Sequence, residues 1–355
     1  MKWFVDVKRR SLNLLYCLSG SVLGIFCLSV YSDKINHSGN GFIRLAPPHG
    51  AIPENIRDLG VNSYYLAGGT DSRFFLGNYT APQLITAIDL KFADSSVRRL
   101  SMTSAGGRFA RSLKTRVDSP NIYLFEGVTP TIVHGTIGDS LLSRTPERLY
   151  FNLGKPLSPV SRILRIVDGR HQNILVKQLN DSIILGENVL VKQVDGIFCT
   201  EGTLHVQPIR NRLVYVYNYR NQFVVMDTCL RIRYTAHTID TVSQAKFTVR
   251  FVSSTQSLTL SSPPLFVNKE SCVSDNYLFI HSGLHADNEE MTLFQTNSAV
   301  DVYSLIDGKY LMSFYLPDYK NNKVRDFSVL GNTLIALYGQ YVYSFRLNIP
   351  AKLQR

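Results

Sequence analysis

The sequence predicts an all-β domain built from repeated hairpins, preceded by one hydrophobic helix near the N-terminus. Three observations carry this. Positions 11–32 hold no charged residue. From about residue 61 to 348, short apolar runs alternate with turn residues, and no helical period persists beyond two turns. Tyrosine and phenylalanine are abundant, at 19 each, and such residues suit half-buried pleated surfaces.

The hydrophobic segment comes first in the chain. About 20 residues of helix match the ~30 Å hydrocarbon core of a bilayer. Lys8, Arg9 and Arg10 stand directly before it. The positive-inside rule then places 1–10 in the cytoplasm and the bulk of the chain in the periplasm or outside the cell. No small-residue cleavage site follows the segment, which favours a retained signal anchor over a removed signal peptide. The expected organisation is a cytoplasmic tail (1–10), a single-pass transmembrane anchor (11–32), a linker (33–60), a β domain (61–348) and a short tail (349–355). Asn40-Gly41 and Pro47-Pro48-His49-Gly50 supply the turn signals that suggest the linker.

Within the β domain, hairpins are legible one by one. The run 334–338 passes through Gly339-Gln340 into 341–347, where Tyr341, Tyr343, Phe345 and Leu347 alternate with Val342, Ser344 and Arg346. That is the period of a strand with one distinct face. Asp307-Gly308 joins 302–306 to 309–316, and Asp-Gly favours a type I′ turn because both central residues need positive φ. Asp195-Gly196, between 189–194 and 197–200, promises the same design. Asp168-Gly169 opens a turn between 163–167 and 174–177.

These hairpins read as diverged copies of one unit. An asparagine precedes an apolar run at Asn62, Asn121, Asn211, Asn276 and Asn332, and a sixth run spans 163–167. The spacing is close to that of propeller blades. Runs such as 213–217 are apolar at every position, so both faces must be covered. Blades stacked face to face around an axis achieve that. The expected fold is a β-propeller with six blades, five to eight being compatible with the spacing. In repeat layout over residues 60–348, the chain resembles bacterial envelope β-propellers of the six- to seven-bladed, TolB-like kind.

Composition narrows the function classes. With 45% hydrophobic and 18% charged residues the chain is not a disordered one. The net charge is +11, or +8 beyond residue 10, and it is dispersed without the basic stripe of a nucleic-acid binder. No CxxC pair appears. Cys199, Cys229 and Cys272 read as buried free thiols, with a Cys199–Cys229 bridge as the alternative. No nucleophile elbow, phosphate loop or zinc-protease helix occurs, so no catalytic, cofactor or metal residue is singled out. The isolated His134, His171, His205 and His237 read as structural or exposed.

The binding candidates are Arg212, Tyr219 and Arg220, from an Arg- and Tyr-rich strand end, and His281 and His285, from a polar loop before Met291. Arginine and tyrosine are favoured at interfaces. The expected function is a non-catalytic binding or scaffolding module for a protein, peptide or glycan, held at the membrane by its N-terminal helix. The alternative is an envelope hydrolase, lyase or redox enzyme with its site in the propeller channel.

Overall fold

The computed structural model describes residues 16, 18–29, 39–101, 113–139, 142–252 and 257–349. It divides into two compact units, Met1–Gly41 and Phe42–Arg355. In the first, residues 18–29 are helical. Among the described residues no helix is long and apolar enough to cross a membrane. Residues 11–15, 17 and 30–32 of the expected span, the tail 1–10 and residues 350–355 lie outside the described set.

The second unit is a six-bladed β-propeller of antiparallel four-stranded sheets. Strand β1 (Ala51–Asp58) comes first in the chain but belongs to the last blade. The first blade is β2 (Tyr64–Gly69), β3 (Arg73–Asn78), β4 (Leu84–Asp89) and β5 (Ser95–Arg99). The second is β6 (Lys114–Asp118), β7 (Asn121–Glu126), β8 (Thr131–Thr136) and β9 (Ser143–Pro146). The third is β10 (Leu153–Ser158), β11 (Ser161–Val167), β12 (Asn173–Leu179) and β13 (Ser182–Gly186). The fourth is β14 (Gly202–Gln207), β15 (Arg212–Tyr217), β16 (Gln222–Met226) and β17 (Ile232–His237). A separate hairpin, β18 (Val249–Val252) with β19 (Ser257–Leu260), precedes the fifth blade. That blade is β20 (Asn268–Ser274), β21 (Tyr277–Ser282), β22 (Asn297–Ser304) and β23 (Tyr310–Pro317). The sixth is β24 (Asp326–Leu330), β25 (Thr333–Tyr338) and β26 (Tyr341–Leu347), completed by β1.

The apolar runs become the middle strands of blades, and period 2 explains how they are used. Every residue of β15 is buried. Leu213, Tyr215 and Tyr217 pack towards the third blade with Ile163 and Leu175, while Val214 and Val216 pack towards the fifth with Leu278, Ile280 and Tyr303. The same division recurs in β25, where Leu334, Ala336 and Tyr338 face the fifth blade and Ile335 and Leu337 face the first. Six such clusters occupy the six interfaces between neighbouring blades. Each fully buried large apolar side chain contributes about 1.5–3 kcal/mol, so the ring is held chiefly by these interfaces.

The N-terminal segment closes the ring. β1 pairs antiparallel with β26 across a bulge between Pro53 and Ile56. Just before it, residues 42–45 are fastened to the fifth blade. The buried Arg44 guanidinium donates from Nε to Asp301 Oδ1 at 2.8 Å, from Nη1 to Glu289 Oε2 at 2.6 Å, and from Nη2 to the Leu284 carbonyl at 3.0 Å. Arg44 and Asn288 also exchange backbone and side-chain hydrogen bonds, both at 2.9 Å. The two carboxylates raise the Arg44 pKa even against burial.

Several sequence expectations change here. The span 33–60 read as linker contains β1 and the Arg44 anchor, so residues 42–58 are part of the propeller. The run beginning after Asn62 is the inner strand β2, whereas the other five runs are second strands, so the first blade is out of phase with the repeat. Asp195-Gly196 does not form a hairpin. The Asp195 carboxylate accepts from the amides of Ile197, Phe198 and Cys199 and starts a 3-10 turn, Phe198–Thr200. A local carboxylate–amide set competes successfully with strand pairing there. The Asp307-Gly308 connection is longer than a two-residue turn, since Tyr303 pairs with Tyr310 and only Gly308 has positive φ. Cys199 and Cys272 are buried free thiols, as expected, while Cys229 is free and exposed.

The Arg44 anchor generates a measurable expectation. Arg44→Ala leaves Glu289 and Asp301 buried without their cation, which costs about 3–5 kcal/mol. Arg73→Ala removes an exposed pair with Asp94 and costs at most about 1 kcal/mol. Urea unfolding of the two variants should show that order.

Candidate functional site

Each inner strand begins at the face that carries the inter-blade connections and runs towards the opposite face. The inner strands β2, β6, β10, β14, β20 and β24 neighbour one another in that order around the axis. Each sits at the end of its sheet's strand order, hydrogen-bonded on one side only. The free edges therefore present backbone donors and acceptors to the axis. Neighbouring side chains take up several of them. Asp326 Oδ2 accepts from the Leu66 amide at 2.8 Å, Arg116 Nη1 donates to the Leu66 carbonyl at 3.1 Å, and the Thr115 amide donates to the Tyr65 hydroxyl at 2.6 Å. Gly68 permits the close approach of the first two blades, since a Cβ there would lie 2.0 Å from the Val117 carbonyl oxygen.

The strands enclose a central channel of about 680 Å³. That is within the ~300–1,000 Å³ usual for small-molecule sites. Charged side chains at the first and third positions of the inner strands ring the half of the channel nearest the connection-bearing face, and Asp118, Arg165 and Arg325 line it as well. Lys114 and Arg116 come from the second blade and Lys155 from the third. Glu270 comes from the fifth blade and Asp326 from the sixth. In a six-membered ring, the second and third members stand opposite the fifth and sixth. Lys114, Arg116 and Lys155 thus gather on the second and third blades and Glu270 and Asp326 on the fifth and sixth, although Asp118 adds a carboxylate to the first group and Arg325, which donates to the Gly339 and Tyr64 carbonyls, adds a cation to the second. Among the described residues no ion pair joins the two.

Burial sets the protonation of these groups. It raises the Glu270 carboxyl to about 7, with the Asp326 charge adding to the effect and Lys155, Arg116 and Lys114 opposing it. Burial also raises Asp326, against its hydrogen bond from Leu66. The Lys155 ammonium is pushed well below its ordinary range, by burial first and by Arg116 next. His205 falls to about 3, by burial and then by Lys155 and Arg116, so it is neutral at pH 7. Its Nε2 lies 2.8 Å from Ser271 Oγ.

The residues singled out from sequence are not gathered at this channel. Arg212 stands at the opposite face, buried, donating from Nε to Gln207 Oε1 at 2.8 Å and from Nη2 to the Asp275 carbonyl at 2.5 Å. It ties the fourth blade to the fifth. Arg220 is fully buried, lies 3.6 Å from the Tyr217 ring and donates to the Val191 carbonyl at 2.9 Å. Tyr219 is buried with its hydroxyl on Glu201 at 3.0 Å. All three, the binding candidates of the sequence, are buried within the blades and do not line the channel. His281 is buried and held neutral, its pKa lowered to about 3 by burial. His285 Nε2 contacts the Glu289 carbonyl oxygen at 2.6 Å. Glu289 is buried against Arg44, while Asp287, Asn288 and Glu290 of the same loop are exposed. Among the described residues no group of three His, Cys, Asp or Glu is placed to hold a metal ion.

Sequence reasoning passed over Lys114, Arg116, Lys155, Glu270 and Asp326 and took His205 as a scattered histidine. A signal existed. Each is an ionisable residue on the short strand that directly precedes an apolar second strand, where the repeat places the inner strand.

No family model and no curated protein matches the chain. Among solved structures, a member of the DUF4221 family from Bacteroides vulgatus is 14% identical, with a TM-score of 0.51 over 84% of this chain and 98% of its own. A catalytically inactive virginiamycin B lyase from Staphylococcus aureus, solved with quinupristin, is 9% identical with a TM-score of 0.46, covering 83% and 99%. BamB from Moraxella catarrhalis is 12% identical with a TM-score of 0.37, covering 87% and 99%. At 14% identity the first of these likenesses speaks to the fold alone, and the expected resemblance to six- to seven-bladed propellers holds at that level.

The Glu270 carboxyl supplies a pH test. Its raised value means that the fold loses stability as pH climbs from 4.5, the ordinary value, through about 7. Glu270→Gln removes that loss. The variant and the natural chain should be equally stable below pH 4.5, with the variant pulling ahead across that window and staying ahead above it, as read by urea unfolding at a series of pH values.

Proposed function

We propose that this chain is a membrane-anchored, exported propeller that binds a ligand in its central channel, as a binding or scaffolding module and not a catalyst. The observation that carries the reading is a channel of ligand size lined by charged groups of both signs, among which Lys155 and Glu270 have no hydrogen-bond partner among the described residues. Ionisable groups buried without partners are costly, so their retention in one cavity marks it as a candidate site. The uncharged N-terminal segment behind Lys8, Arg9 and Arg10 supports anchoring with the propeller outside the cytoplasm. A protein, peptide or glycan reaching the channel from the connection-bearing face is the expected partner.

An enzymatic reading has one observation in its favour. Glu270, at about 7, has the poise of a general acid–base near neutral pH. It stands near Lys155 and Asp326, and propellers are not confined to binding roles. Turnover of a ligand that disappears in Glu270→Gln, with binding retained, would favour this reading over the first.

Two measurements test the main proposal. Removal of residues 1–33 should release the chain from membranes, and a C-terminal alkaline phosphatase fusion should be active only as an exported reporter. For the channel, the small-molecule fraction of a bacterial envelope should raise the melting temperature of the full chain in detergent. Ser328→Trp, which fills the channel from β24, should abolish that rise while leaving the unfolding free energy in urea within about 1 kcal/mol of the natural chain. A rise that survives the plug would place the ligand elsewhere.

A further inference from the structure

The two walls specify a ligand chemistry, and this inference rests on the channel being the binding site. Lys155 and Glu270 each stand at the third position of an inner strand, on the third and fifth blades that flank the fourth, and neither makes a hydrogen bond or ion pair with a described residue. Lys114 approaches the Tyr79 ring, 5.9 Å from its centroid, and leaves its ammonium open to the same wall. Asp326 has one carboxylate oxygen on the Leu66 amide.

A purely anionic ligand would satisfy the cation wall and repel Glu270 and Asp326. A purely cationic one would do the reverse. A molecule with both charges, oriented across the axis, pairs with each wall at once. The free strand edges add backbone donors and acceptors between the walls, which suit amide groups. The volume of about 680 Å³ exceeds what a lone amino acid would fill and matches a drug-sized molecule. We infer that the channel takes a short peptide with free termini, its carboxylate on the Lys155 and Lys114 wall and its ammonium on the Glu270 and Asp326 wall. Charge-assisted hydrogen bonds at both ends would set its direction as well as its affinity.

The probes are four mixtures of tetrapeptides randomised at every position: free at both ends, N-acetylated, C-amidated, and capped at both ends. Inorganic phosphate serves as a plain anion. Binding to the full chain in detergent is read by competition against the free mixture. The free peptides should bind, and each cap should weaken binding by about tenfold or more. Glu270→Gln should make the protein indifferent to the N-terminal cap, and Lys155→Met indifferent to the C-terminal cap. Fold is checked for both variants by urea unfolding. If caps have no effect, if phosphate competes as well as free peptide, or if no mixture binds, the peptide inference falls. The channel reading then stands or falls separately, on whether Ser328→Trp blocks the envelope-fraction ligand.

Discussion

The structure depends on strands that are apolar on both faces. A middle strand such as β15 cannot lie against solvent on either side, and its period-2 geometry sends alternate residues to two different neighbours. One blade therefore has no complete core of its own. Each interface is built from half the residues of one blade and half of the next, and only a closed ring leaves none of these faces wet. The six interfacial clusters are the same requirement met six times. Removing one large side chain, Leu213 for instance, would cost about 2–5 kcal/mol and loosen one joint of a closed circle.

This constraint explains which parts of the fold can be read in the amino-acid sequence. Second strands announce themselves as largely apolar runs, so five of six are visible from 122–124, 163–167, 213–217, 277–280 and 334–337. Inner and outer strands carry half the apolar load or less. β24 begins with Asp326 and β1 includes Pro53, Glu54 and Asp58, so both resemble loops. The first blade hides its second strand, Arg73–Asn78, because no asparagine introduces it. The turn at Asp195 fails for a different reason: a carboxylate can cap local amides as readily as it can open a hairpin.

The candidate site was less legible than the fold, and the reason is physical. Arg212 and Arg220 carry the residue type of an interface but are buried within the blades, where Arg212 donates to the Asp275 carbonyl and Arg220 donates from Nη2 to the Val191 carbonyl and lies over the Tyr217 ring. The channel residues come from five different blades, more than 200 residues apart in the chain, and none forms a local motif. Symmetry brings them together. Any residue at the start of an inner strand faces the axis, so a repeat protein can build a site from single positions scattered along its length. The electrostatics follow from that placement, because burial raises the Glu270 carboxyl and lowers the Lys155 amine even with opposite charges nearby.

The N-terminal strand carries one further consequence. β1 completes the blade formed by β24, β25 and β26, nearly 300 residues later in the chain. A polypeptide made from its N-terminus must keep this strand waiting until the last three strands exist. Contacts this distant in sequence form slowly, and the waiting edge is open to wrong pairings. The residues that hide β1 from a sequence reader also guard it. Pro53 removes a donor, Glu54 and Asp58 add charge, and the bulge between Pro53 and Ile56 interrupts the flat edge. Strand β1 can then stay solvated and unpaired until the sixth blade arrives, and Arg44 locks the finished circle once Asp301 and Glu289 are in place.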